Sequence, residues 1–298
     1  MTVSRRRFGL RLFIVGPLAI GSLMPSQAAA APQESPAAQQ GDIQSAEVDN
    51  NGEDFTRPQS LFQLRYLYQT APGSGSEPGT TRQVTTETLY LREDHRFDFA
   101  PQWTLALRGD LPMVTKNPIT SNNPSGDYQF GAGDVDFQAA VIHAFDARWA
   151  AGIGARLVAP TGGDEFGTGR WQILSGFAVR SMLPEISAGS YFVPQVRYDV
   201  SFAGDPSTKN ISNLQFAPTL NIGLPDHWFV TFYPSTDIRV NYGDPVTGQT
   251  GPLFLPFDVL IGRTVFSGVV MSLEISVPII KDYPVYDFKT VMRLNASF

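Results

Sequence analysis

Few side chains in this chain could do acid–base work near neutral pH. Its 298 residues hold three histidines, His95, His143 and His227, and no cysteine. Nucleophilic catalysis needs such a base within hydrogen-bond reach of a serine or another nucleophile. His143 shares the parity of Val141 and Phe145 and so falls on an apolar face, while His227 lies in a turn. No two histidines have metal-ligand spacing, and the missing thiols exclude a disulfide framework and a thiolate metal site. Gly131-Ala132-Gly133 precedes a strand pattern and not a helix, so a dinucleotide reading fails. Asp164 and Glu165 stand in a glycine-rich loop without the ligand run of a calcium loop. The expectation is therefore no catalytic set, no metal and no cofactor.

What the sequence offers instead is a stripe of charge at one parity of an alternating pattern. Arg65, Arg108, Arg156, Arg180, Arg197, Arg239, Lys289 and Arg293 supply the cations. Asp110, Asp134, Asp136, Asp199, Asp237, Asp258 and Glu274 supply the anions. If these line a pore, their near balance suggests pairing across the lumen, since a selective constriction shows an excess of one sign. The simpler reading is that they fill a small barrel and satisfy one another.

The elements that would position this stripe are strands. From Leu61 onward, apolar residues recur at every second position, the period of a half-buried strand. Phe62, Leu64, Tyr66 and Tyr68 alternate with Gln63, Arg65, Leu67 and Gln69. Val135, Phe137, Ala139 and Val141 alternate with Asp134, Asp136, Gln138 and Ala140, and Trp149, Ala151, Ile153 and Ala155 with Gly152, Gly154 and Arg156. Trp228, Val230, Phe232, Ile238 and Val240 read as one strand, and the series runs on to Phe288–Phe298. A second strand, about 84–97, is required between the first and third, although it alternates poorly. The count is about twelve, an even number, as a bacterial barrel needs.

A soluble sandwich also alternates, but three features favour a membrane. Long connections rich in Gly, Pro, Asn, Asp, Ser and Thr (71–82, 116–129, 161–170, 203–210, 243–252, 281–285) take turns with short ones near Pro101, Asp146, Glu185, Asp226 and Ser267. Aromatics gather at the short turns, among them Phe97, Phe99, Trp103, Phe145, Trp149, Phe192, Trp228, Phe266 and Phe298, as rings at a headgroup boundary do. The chain ends on Phe298 at the close of an alternating strand, which resembles the signal read by the barrel-assembly machinery. The fold expected for residues 59–298 is all-β: a transmembrane antiparallel up-and-down β-barrel of about 12 strands, in the outer membrane and in contact with its lipid.

Residues 1–30 read as a signal peptide: Ser4-Arg5-Arg6-Arg7-Phe8, a mostly apolar run from Leu10 to Met24, then Ala28-Ala29-Ala30. The arginine run resembles a twin-arginine signal, but a barrel should cross the periplasm unfolded, so the general secretory route is preferred. Residues 31–58 are polar and aperiodic and read as a flexible periplasmic leader, with folding into the pore as a plug the lesser alternative. Loss of the four signal arginines moves the formal charge from -6 to -10, which argues against a nucleic-acid partner.

Gly131-Ala132-Gly133-Asp134-Val135, then Trp149, Gly152, Gly154 and Leu157 leading into Pro160-Thr161-Gly162, followed by Gly167, Gly169 and Trp171, carry a resemblance. They look like the outer-membrane transporters labelled as belonging to the meta-pathway of phenol degradation. The resemblance implies a barrel that passes an aromatic or other small organic compound, and it brings no established site residues. The expected function is an outer-membrane channel or passive transporter for a small solute. The rivals are a closed structural or adhesive barrel and a lipid-modifying enzyme.

Overall fold

The computed structural model describes residues 52, 54–72 and 83–298. The expected signal and residues 31–51 of the leader lie outside these described residues. The alternating segments form fourteen antiparallel strands: β1 (Leu61–Thr70), β2 (Thr85–Ala100), β3 (Trp103–Lys116), β4 (Gln129–Ala132), β5 (Val135–Ala144), β6 (Trp149–Ala159), β7 (Arg170–Met182), β8 (Tyr191–Gly204), β9 (Ser212–Gly223), β10 (Trp228–Phe232), β11 (Ile238–Asn241), β12 (Leu253–Phe266), β13 (Val269–Lys281) and β14 (Phe288–Ser297). β4 and β5 both pair with β3, and β10 and β11 both lie between β9 and β12, so the fourteen segments make twelve staves. β1 pairs with β14 along its whole length, Leu61↔Ser297 through Thr70↔Phe288, and this ladder closes the barrel.

Closure fixes which parity meets lipid. Across the β1–β14 seam Gln63 donates to Asn295 at 2.6 Å on the inner face, while Phe62 and Phe298 pack ring to ring at 5.1 Å on the outer face. The Phe298 amide donates to the Ser60 carbonyl, which ties both chain ends together. Side chains such as Phe137 (63% exposed) and Ile153 (68% exposed) have no protein neighbour to cover them, the inverse of a soluble core. All nine aromatics expected at the short turns are on this exposed surface. β2 alternates poorly because Glu87, Glu93 and His95 share its outward parity. Tyr66 donates to Glu87 at 2.9 Å, and Glu93 meets His95 at 2.7 Å. Because Leu61 pairs with Asp94, the last residues of β2 run past the start of β1, at the short-turn rim where polar groups reach water.

The connections 101–102, 145–148, 183–190, 224–227 and 267–268 lie at one end and are mostly shorter than those at the other, although 183–190 exceeds 205–211 and 282–287 in length. One of the two two-residue turns, Ser267-Gly268, needs a residue at φ +73°, which glycine adopts freely. By the short-turn rule this end is periplasmic. At the opposite end the glycine-rich loop around α1 (Gly163–Phe166) is organised by Asp134. Its carboxylate accepts from the Gly162 amide (3.0 Å), the Thr168 amide (2.7 Å) and the Thr168 hydroxyl (2.8 Å). Asp134 thus joins the two glycine-rich stretches and lies outside the luminal stripe.

The stave expected from Trp228 to Val240 is broken between Phe232 and Ile238. Pro234 has no N–H for the ladder, and Tyr233 takes a positive φ of 51°. The interrupted segment bends inward, so that Ser235 reaches Glu274 on β13, two staves away. Nearby, Pro194 faces Pro218 and Pro256 faces Pro278, which removes further ladder donors from adjacent staves.

The lipid-facing assignment has a direct test. Ile153→Arg should cost about 2–4 kcal/mol if the residue lies at mid-membrane. Urea titration of the protein folded into lipid vesicles measures this, and an unchanged midpoint would contradict the assignment.

Candidate functional site: the barrel lumen

The inner face encloses a cavity of about 430 Å³. Of the expected stripe, Arg65, Arg108, Arg156, Arg197, Asp237, Arg239, Lys289 and Arg293 line it. Asp110, Asp136, Asp199, Asp258 and Glu274 are buried in the wall beside it, and Arg180 is buried near the short-turn rim. The difference is one of reach. An aspartate ends close to the sheet surface, whereas arginine and lysine stems carry their charge inward. Balanced charge along the sequence therefore becomes an unbalanced surface: nine Arg or Lys against three Asp on the cavity lining, among the described residues.

Ion pairing runs along the wall and not across the lumen as expected. Arg92 grips Asp110 with two bonds of 2.7 and 2.8 Å, and Arg108 grips Asp94 in the same way. These pairs join the neighbouring strands β2 and β3. Arg156 on β6 lies 3.4 Å from Asp136 on β5 and donates through Nε and Nη2 to Gln138. Arg197 on β8 repeats this fork on Gln215 of β9, at 2.8 and 2.5 Å.

On the other side of the lumen three carboxylates, Asp237, Asp258 and Glu274, lie together. Their geometry could suit a cation, and Lys289 already provides one. Its ammonium is 2.5 Å from Asp237 and 3.6 Å from Asp258, and it pairs with Glu274. Arg293 also pairs with Glu274. Tyr286 reaches in from the preceding loop, bonds Ser276 at 2.8 Å and Asp237 at 3.1 Å, and packs edge-on against Phe254.

Sequence reasoning gave too little weight to the end of the leader. Residues 54–58 do not form a free tail; they dock on the inner wall. Asp54 caps a local turn, accepting from the Thr56 amide and hydroxyl and from Arg57 Nε. It also lies 3.8 Å from Arg180 on β7. Phe55 packs against the cluster of Ala140, Ile142 and Ala150, and against that of Ala178, Tyr191 and Val193 on the next staves. Gly152 completes this socket, because a Cβ there would be 2.9 Å from the Phe55 ring. Arg57 covers the Tyr191 ring at 5.4 Å. The clue was a lone aromatic in a polar leader, together with alanines and glycines where luminal polar residues were due.

Of the three histidines only His95 is among the residues that line the cavity. His143 stacks on Trp103 at 4.3 Å on the outer face, His95 pairs with Glu93, and His227 is in a short turn.

A closed antiparallel barrel with an apolar exterior, an aromatic rim and a charged lumen defines the class: an outer-membrane β-barrel. Residues 49–233, more than half of the chain, match the family described as "Putative MetA-pathway of phenol degradation", and the chain belongs to that family. No curated protein sequence matches it. Among solved structures it is similar to the COG4313 outer membrane channel from Pseudomonas putida F1, with a TM-score of 0.62 at 15% identity, covering 85% of this chain and 100% of that one. Weaker likenesses include the KdgM porin (TM-score 0.45, 9% identity, 80% of this chain and 99% of that one). Another is the outer membrane phospholipase A from Escherichia coli (0.42, 8%, 81% and 94%). At 15% identity the first of these likenesses speaks to the fold alone.

The wall pairs should behave as buried ion pairs. Asp110→Ala strands the Arg92 guanidinium and should cost about 3–5 kcal/mol, whereas Arg92→Met combined with Asp110→Leu should recover most of that loss. Unfolding in lipid vesicles would show this. Equal losses in the single and double variants would contradict it.

Proposed function

We propose that the protein is a passive channel for a small solute across the outer membrane, narrowed in its periplasmic half by residues 54–58. The observation that carries this reading is a polar cavity of about 430 Å³ inside a closed wall whose outer face is apolar. That size suits a small organic molecule, and the family description points toward aromatic compounds. The same proposal includes export by residues 1–30 and recognition of Phe298 by the barrel-assembly machinery. It assigns no catalysis: His143 is at the outer face, His227 is in a short turn, and His95, among the cavity-lining residues, is paired with Glu93.

The docked segment also favours a second reading, a barrel closed at rest without transport. One experiment separates the two. Refolded protein in a planar bilayer should conduct, and Phe55→Ala should raise its conductance or open time by emptying the socket that Gly152 leaves. Silence from both proteins, together with no solute uptake into liposomes, would favour the closed barrel.

A further inference from the structure

Buried cations are normally matched by carboxylates, because an unmatched charge away from bulk water is costly. Most luminal cations here obey that rule: Arg92, Arg108, Arg239 and Lys289 each have an aspartate or glutamate at 2.5–3.1 Å or closer. Arg197 does not. Its fork is spent on the neutral oxygen of Gln215, and it makes no ion pair among the described residues. The aspartate next along its strand, Asp199, takes only a long 3.4 Å bond from Gln215, and its other oxygen has no partner. Arg156, the nearest cation toward β6, likewise holds a glutamine oxygen and only a long contact to Asp136.

Between these two arginines the inner wall carries glycine, which leaves a hollow floored by bare backbone on the cavity lining. Gly154 on β6 faces Gly176 on β7, and Gly176 faces Arg197 on β8. Neither glycine position has space for a side chain. A Cβ at Gly154 would be 2.7 Å from the Ala139 carbonyl oxygen, and one at Gly176 would be 2.6 Å from the Val196 carbonyl oxygen. Toward the periplasm the hollow runs on to Ala140 and Ala178, the apolar socket that receives Phe55. One end thus presents two guanidinium groups, Arg197 without an ion pair among the described residues and Arg156 with only Asp136 at 3.4 Å, and the other presents apolar surface. Gly154, Gly176, Arg156, Arg197 and Ala178 all line the same cavity.

We infer that this hollow is a binding site for a small organic monoanion, a carboxylate on an apolar body, with Arg197 and Arg156 holding the carboxylate and the apolar body lying over Gly154 and Gly176 toward Phe55. The inference rests on the channel reading in that it names the class of solute the lumen accepts. Arg197 supplies the charge complement, and Gln215 orients its fork without neutralising it. Gln215 takes Nε and one Nη2 hydrogen, which leaves the Nη1–Nη2 edge of the planar guanidinium to meet a carboxylate through two parallel bonds.

Titration calorimetry of the full chain refolded in detergent, with benzoate and with its neutral isostere benzamide, tests this. Charge-assisted bonds should make benzoate bind about tenfold or more tightly than benzamide. Arg197→Gln should erase that preference. So should Gln215→Glu, which gives Arg197 an internal counter-ion while keeping the packing, with heat-modifiable migration on gels confirming a folded barrel in each case. Equal binding of the two ligands by the wild type, or a preference that survives in both variants, would overturn the site. Bilayer currents judge the other reading independently. Charge-dependent binding without currents keeps the site and sinks the channel. Currents without any benzoate preference sink the site and keep the channel.

Discussion

Inside a hydrocarbon layer a backbone N–H or C=O has no water to turn to, and each one left unpaired costs several kcal/mol. A sheet meets this condition only by closing. Here closure is the ten-residue ladder between β1 and β14, and the rest of the structure follows from it. Once the first and last strands are joined, every stave has two neighbours and one parity of side chains is committed to lipid. The opposite parity then shares a narrow space that must hold most of the polar groups. The aromatic rim, the paired charges in the wall and the docked Asp54–Pro58 are responses to that crowding.

Within that space, side-chain length decides more than charge count. The acidic and basic residues of the stripe nearly cancel along the sequence, and a reading by position expects a neutral, self-paired lumen. In three dimensions Asp110, Asp136 and Asp258 stay low in the wall while the guanidinium groups of Arg156 and Arg197 project past them. The cavity surface is therefore basic although the chain is acidic. Glutamine is what allows this. Gln138 and Gln215 orient the arginine forks without cancelling their charge.

Much of the barrel was legible because period two and the long–short rhythm of connections are direct consequences of closure. Trp103, Trp149 and Trp228 marked the periplasmic rim, and Phe298 marked the closing strand. Legibility failed where size or backbone chemistry overrode polarity. Ala140, Gly152 and Ala178 hold luminal positions without polarity because these small residues form the socket for Phe55. Pro234 stood in an otherwise regular run, and its missing N–H turned a strand inward. Poor alternation in β2 came from Glu87, Glu93 and His95, whose positions near the ends of the stave let them face outward.

The central claim, that alternate positions along each strand of one closed wall see lipid and water in turn, has an unusually clean test because the chain contains no cysteine. Single substitutions Phe137→Cys, Gln138→Cys, Ile153→Cys and Gln195→Cys can be refolded into lipid vesicles and treated with a membrane-impermeant, water-soluble maleimide. Labelling at Gln138→Cys and Gln195→Cys with protection at Phe137→Cys and Ile153→Cys is the expected result. Equal labelling of adjacent positions 137 and 138, or the reverse pattern, would contradict it.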